Sequence, residues 1–327
     1  MSYRRILVTG AAGFVGRHML ARLRADFPDA ELIAAARAQD AAMPPPGAAA
    51  LVTFDLLRPD TIKAAVAQTR PDACVHLAAH ADVGASFANP DAVWAANVDG
   101  TRALAAAILT EAQHCVLLHV SSAEVYGLSF QSGLPLDETA ALRPANPYAA
   151  SKAAVDIALG EMALRGLHVL RMRPLNHVGA GQGAGFAVAA FARQIARIEA
   201  GLQPPIIQTG ALDRGRDFLD VRDVCAAYAA ALARAGRLAP GAILNLACGE
   251  VRQVGDVLRD LLALSGVAAT IATHEATLRP VDVLATRCDA GAARRVLDWA
   301  PVVPWPQTLK DVLEDWRART AAGEPRN

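Results

Sequence analysis

The 327-residue sequence predicts an α/β protein, a doubly wound parallel sheet joined to a smaller, discontinuous α/β domain. Three observations predict it. Short β-branched runs alternate with longer amphipathic stretches through the first half, the pattern of βαβ units on a parallel sheet. Glycines fall at G-x-x-G-x-x-G directly between the first such run and the first amphipathic stretch. The length corresponds to about two folding units of ordinary size.

Strands are expected near Arg4 to Val8, Glu31 to Ala36, Ala50 to Phe54, Ala73 to Leu77, Cys115 to Ser121 and His168 to Arg173. Helices fill the gaps at Phe14 to Asp26, Asp60 to Gln68, Asp91 to Glu111 and Pro147 to Arg165. Asn89-Pro90 and Asn146-Pro147 each place a capping side chain before a proline at the first helical position. Ala41 to Ala50, with Pro44 to Pro46, reads as an exposed loop. Beyond Arg173 the rhythm loosens. Gly179 to Gly185 is a glycine-rich loop, Phe186 to Glu199 a helix, Ile206-Ile207 and Phe218 to Val221 short strands, and Asp223 to Ala235 a helix. Ile243 to Leu246 resembles a last buried strand that rejoins the sheet, and the tail mixes helices with proline turns. The expected division is residues 1–174 and about 212–248 in one domain, and about 175–211 and 249–327 in the other.

Lysine and arginine number 32 against 32 acidic residues, a net charge of zero with a pI near 7.1. No global field exists to collect nucleic acid or an anionic membrane, so neither is an expected partner, and any anionic ligand must be held locally. Hydrophobic residues make up 53% and mean hydropathy is +0.24, yet aromatics are only 5%, because alanine supplies much of the apolar share. No apolar stretch approaches the ~18–20 residues of a membrane helix. The run Ile6-Leu7-Val8 stops at Thr9-Gly10, too short for a signal h-region, so a cytoplasmic location is expected. Cys74, Cys115, Cys225, Cys248 and Cys288 are odd in number, widely spaced and without C-x-x-C, and read as core thiols, with no metal site expected.

The glycines Gly10, Gly13 and Gly16 surround a turn that lets backbone approach a pyrophosphate, and the helix opening at Phe14-Val15 offers free amides and partial positive charge. This is the signature of a dinucleotide site on a Rossmann-type sheet. At the end of the second strand, Ala34-Ala35-Ala36-Arg37 lacks the acidic residue that would bond a ribose 2′-hydroxyl. Arg37 suits a 2′-phosphate instead, which favours NADPH and leaves NADH as the alternative. Asp55 and Leu56 are expected beside adenine, and Leu77-Ala78-Ala79 as a small-residue ledge along the cofactor.

Tyr148-Ala149-Ala150-Ser151-Lys152 puts a phenol and an ammonium on one face of a helix. A nearby ammonium favours phenolate, so the reading expects a lowered Tyr148 pKa and proton exchange with a substrate oxygen near neutral pH. Ser122, just past the fifth strand at the ligand-binding edge of the sheet, is placed to bond the same oxygen.

With these residues the chain resembles the extended short-chain dehydrogenase/reductases: Thr9 to Gly16, His76-Leu77-Ala78-Ala79, Asn97-Val98-Asp99-Gly100-Thr101, Ser121 to Gly127 and Tyr148 to Lys152 follow in order. The resemblance implies that Ser122, Tyr148 and Lys152 form the catalytic triad, with Asn97 as internal support. Arg173 to Gln182, Gly185-Phe186, Phe191 to Glu199, Arg216 to Val224 and Leu278 to Asp282 are similar to the GDP-6-deoxy-D-mannose reductases, with Ala180 in place of a proline and Arg193 in place of a lysine. That resemblance implies a GDP-sugar held by Asn176, Phe186, Arg193, Arg216 and Arg279, with His80 and His177 as hydrogen-bonding neighbours. It further implies hydride transfer from NADPH to the C4 ketone of GDP-4-keto-6-deoxy-D-mannose, and a homodimer through a four-helix interface. Glu124, two residues before Tyr126, keeps a 4,6-dehydratase open as the rival, a 4-epimerase is a further one, and a non-catalytic cofactor-binding protein is a third. Asp82, Ser86 and Glu124 are the residues expected to set the face of attack.

Overall fold

The computed structural model describes residues 2–39, 43–273 and 283–323. In chain order its elements are β1 (Arg5–Thr9), α1 (Phe14–Asp26), β2 (Glu31–Ala36), β3 (Ala50–Thr53), α2 (Pro59–Thr69) and β4 (Ala73–His76). There follow α3 (Val83–Ala88), α4 (Pro90–Trp94), a π-helical turn (Ala95–Gly100), α5 (Thr101–Glu111), β5 (Val116–Val120), a 3-10 stretch (Ala123–Ser132), α6 (Pro147–Leu164) and β6 (Val169–Pro174). The second half comprises β7 (Asn176–Val178), α7 (Ala187–Glu199), β8 (Ile206–Thr209), β9 (Gly215–Asp220), α8 (Val221–Ala233) and β10 (Ile243–Leu246). It ends with β11 (Val251–Gln253), α9 (Val254–Ser265), β12 (Thr270–Thr273), α10 (Gly291–Leu297) and α11 (Trp305–Ala321).

Seven parallel strands in the order β10-β6-β5-β4-β1-β2-β3 form the main sheet. Because side chains alternate along a strand, consecutive residues enter opposite cores. Ile6 and Val8 join α1 and α8 on one face, while Leu7 joins α2, α5 and α6 on the other. Both faces are covered, as the doubly wound expectation requires. Ile243 to Leu246 does rejoin the sheet, beside β6. No described helix is long and apolar enough to cross a membrane.

A separate core forms where α7, α9 and α11 bury Phe191, Ile195, Leu258, Leu313 and Trp316. Over it lie a three-stranded sheet, β11-β9-β7, and the parallel pair β12-β8. Some expectations shift. The continuous helix expected over Asp91 to Glu111 is interrupted by the π-helical turn, which carries Asn97. The helix expected from Asp223 begins at Val221, because the carboxylate of Asp220 accepts the Arg222 amide and caps it. Four cysteines are buried as expected, but Cys248 is only half-buried.

A buried charge cluster ties α6, β6 and β10 together. Asp156, fully buried on α6, accepts a bidentate pair from Arg173 at 2.8 and 3.0 Å and a further bond from Arg171 at 3.1 Å. Arg173 also donates to the Tyr126 hydroxyl, which donates in turn to Asn245 of β10. Burial alone would raise the Asp156 pKa, but the Arg173 hydrogen bonds and the two guanidinium charges outweigh it and hold the carboxyl below its ordinary value. Removing one member of such a cluster strands buried charge. Asp156→Ala should therefore cost about 3–5 kcal/mol in a urea unfolding measurement. The wild-type contribution should be complete above the ordinary carboxylate pKa of about 3.9 and fade as pH falls below it toward the depressed folded value.

Candidate active site

The strand order reverses between β1 and β4, and there the glycine loop and the ledge after β4 meet. Gly10 has φ +67°, and a Cβ on it would lie 2.9 Å from the Ala78 amide nitrogen. A Cβ on Gly16 would lie 2.2 Å from the Gly10 carbonyl oxygen. Gly13 caps α1 without using a side chain, so no side-chain cap claims the first-turn amides of the helix. These glycines make a cradle that fits a pyrophosphate.

Thr9 ties the two strands together. Its Oγ1 accepts from the amides of Leu77 (3.2 Å) and Ala78 (3.1 Å) and lies 2.7 Å from His76 Nδ1. With two donors already on the oxygen, the hydroxyl proton points to Nδ1, so His76 carries its proton on Nε2 and donates to Thr101 at 2.9 Å. Burial, reinforced by the charge of Lys152, pushes His76 down to about 3, so it stays neutral. Ala79 is half-buried on the same ledge; Asp55 and Leu56 follow β3, with Leu56 packed against Gly100; exposed Arg37 follows β2. The expected cofactor residues thus line one edge of the sheet. Thr9 and Thr101 stand in the sequence motifs without an assigned role, because a threonine in a strand or helix carries no signal until its partner is known.

The expected triad converges. Asn146 caps α6 by accepting the Ala149 amide at 2.7 Å, and this sets Tyr148 and Lys152 on the helix face that meets Ser122. Asn97 braces the same turn, donating to Ser151 Oγ at 3.0 Å while bonding both the amide and the carbonyl of His80. Ser151 donates to the Tyr148 carbonyl. The Ser122 hydroxyl shares a hydrogen bond with the Tyr148 phenol and accepts the Glu124 amide at 3.1 Å. Glu124 itself accepts from Asn146 at 3.3 Å.

One expectation is corrected. Tyr148 is not shifted toward phenolate: burial lifts it to about 12, with Ser122 opposing the rise and the Glu124 charge adding to it. The Lys152 ammonium donates to the Val120 carbonyl at 2.6 Å. Burial lowers Lys152 to about 8, with Asp156 opposing. The site therefore holds a protonated phenol, the form that gives a proton away.

A cleft of about 380 Å³ opens over β7 and the start of α7. Asn176, Phe186 and Arg216 line it as expected, and so do Arg214 and Gln208, which sequence reading missed. Arg216 is buried and donates to the carbonyls of Gly215 and Val283. Phe186 caps α7 without a side-chain bond, so the helix N-terminus also faces the cleft. Arg193 is placed elsewhere: its guanidinium lies 6.0 Å from the Trp316 ring, toward α11. Arg279 lies outside the described residues.

Residues 6–247 match the NAD dependent epimerase/dehydratase family. The chain is 34% identical to a GDP-6-deoxy-D-mannose reductase of Pseudomonas aeruginosa over 96% of its own length and 98% of the relative's. It is 30% identical to a GDP-6-deoxy-D-talose 4-dehydrogenase of Aggregatibacter actinomycetemcomitans over 68% and 67%. The structure of RMD from Pseudomonas aeruginosa complexed with NADPH superposes with a TM-score of 0.80 at 30% identity, covering 97% of this chain and 99% of that one.

The depressed lysine is directly measurable. A titration of the cofactor-free protein followed by 13Cε lysine NMR should show one resonance, missing in Lys152→Arg, with a midpoint of about 8. A midpoint at the ordinary lysine value of about 10.4 would refute the burial argument.

Proposed function

This chain belongs to the NAD dependent epimerase/dehydratase family, and within it we propose an NADPH-dependent reductase that converts GDP-4-keto-6-deoxy-D-mannose to GDP-6-deoxy-D-mannose. The observation that carries the reading is the protonated Tyr148 phenol hydrogen-bonded to Ser122 at the carboxyl edge of the sheet. Reduction of a ketone needs a hydride at carbon and a proton at oxygen. Bound NADPH supplies the hydride. Tyr148 gives its proton to O4 and Ser122 polarises the C4 carbonyl, while Lys152, held by the Val120 carbonyl, stands one helical turn further along α6. Arg216, Asn176, Arg214 and the α7 N-terminus offer the donors that a nucleoside diphosphate requires. The likeness to the Pseudomonas reductase supports the GDP-sugar, and the NADPH complex of RMD supports the cofactor.

The dehydratase rival needs an acid and a base beside the sugar. Glu124 is engaged by Asn146, and its neighbour Ala123 is buried and without a functional group, which favours the reductase. In this reading residues 1–174 and about 212–248 hold the dinucleotide, and about 175–211 and 249–327 hold the nucleotide sugar. The free thiols accord with a reducing cytoplasm.

Incubation with GDP-4-keto-6-deoxy-D-mannose and NADPH, with the product identified by NMR, should show stoichiometric cofactor oxidation and a C4 alcohol. Formation of a 4-keto product from GDP-mannose without cofactor consumption would instead identify a dehydratase. Tyr148→Phe should lower kcat by about 10²–10⁴-fold while NADPH still binds.

We also propose a homodimer through α4, α5 and α6. Trp94, Ile157 and Leu164 are large apolar side chains left 46%, 60% and 89% exposed on these helices. Light scattering should report a dimer for the wild type and a monomer for Ile157→Glu.

A further inference from the structure

The loop that follows β7 has the sequence Gly179-Ala180-Gly181-Gln182-Gly183-Ala184-Gly185, with no proline and a glycine at every other position. Such a backbone has little stiffness of its own. Its shape must come from what grips it, and it is gripped from two sides. On one side stands α1. Phe14 stacks on His177 at 6.2 Å with the planes 13° apart, and a Cβ on Gly179 or Gly181 would lie 3.6 or 3.7 Å from the Phe14 ring. One turn along α1, His18 meets Phe14 edge-on and its Nε2 lies 2.7 Å from the Ala180 carbonyl oxygen. A carbonyl only accepts, so His18 is the donor.

On the other side stands α11. The Asp315 carboxylate accepts the Gly181 amide at 2.9 Å and pairs with Arg319 at 2.7 Å. Arg319 donates to the Gln182 carbonyl at 3.2 Å, and Gln182 donates back to the His177 carbonyl at 2.9 Å. The segment so held supplies Asn176, His177, Gln182, Gly185 and Phe186 to the cleft. The helix that presents its N-terminus to the dinucleotide is thus the platform for the segment that lines the cleft.

We propose that His18 and Asp315 are positioning residues that clamp this loop between α1 and α11, and that through them the dinucleotide and the nucleotide sugar bind with positive coupling. The inference rests on the functional reading above in placing a nucleoside diphosphate in the cleft. A pyrophosphate bound at the α1 N-terminus steadies Phe14 and His18, which hold the loop in the shape the diphosphate needs. Coupling of this kind is reciprocal, each ligand tightening the other by the same factor.

Calorimetric titration with GDP, with and without saturating NADPH, tests this without any turnover. For the wild type, NADPH should tighten GDP. In His18→Leu and in Asp315→Ala, GDP affinity at saturating NADPH should fall by about fivefold or more, the effect of one lost hydrogen bond. The tightening by NADPH should shrink toward nothing in His18→Leu. NADPH affinity measured alone should be unchanged in both, which also shows that the dinucleotide domain is folded. His18→Gln, which keeps a side-chain N–H, should recover part of the loss. GDP binding equal to wild type in both variants, or absence of any NADPH effect on wild-type GDP affinity, would overturn the inference alone. Failure of GDP to bind the wild type at all would overturn the functional reading, and the inference with it.

Discussion

The close approach of β1 and β4 at the reversal of strand order is the constraint from which the site is built. Thr9 Oγ1 accepts the Leu77 and Ala78 amides, the first of which also reaches the Thr9 carbonyl, and Gly10 lets the following backbone pass within contact of Ala78. The glycine loop and the ledge of the cofactor crevice therefore move as one body. His76 extends the same chain of bonds to Thr101 at the start of α5. Because it is fully buried and neutral, the chain has a single donor direction from β1 to α5, independent of pH in any working range.

From Thr101 the constraint reaches Tyr148 and Lys152. The π-helical turn just before it swings Asn97 toward Ser151, and Ser151 holds the Tyr148 carbonyl. Tyr148 and Lys152 stand on a helix whose lower half is fixed by Asp156 against Arg173 and Arg171. The phenol is thus held from above by the Asn146 cap and from below by a buried ion cluster. Burial decides its protonation: removing the phenolate from water costs more than its surroundings return, so the phenol keeps its proton.

Zero net charge gains a meaning in this setting. Two anionic ligands are expected in one molecule that exerts no long-range attraction on either. The donors are local: loop amides at α1, the α7 N-terminus, and Arg214 and Arg216 in the cleft. Each acts at contact distance, where salt screens it little.

Much of this could be read along the chain. Alternating Ile6, Leu7 and Val8, the spacing of Gly10, Gly13 and Gly16, and the proline after Asn146 are local patterns whose physics is complete within a few residues, so strands, phosphate turn and helix start were all legible. Residues whose behaviour depends on distant neighbours were not. Arg193 carries the same charge wherever it lies, and only the packing of α7 on α11 decided that it faces Trp316 and not the cleft. Four residues put Tyr148 and Lys152 on one helix face, but burial of the phenol, which the packing of the whole domain decides, keeps it protonated while Lys152 donates to the Val120 carbonyl. Sequence alone determined which groups are present and which share a face; the tertiary structure decided which of them touch and which stay in water, because burial and hydrogen-bond partners belong to the folded chain as a whole.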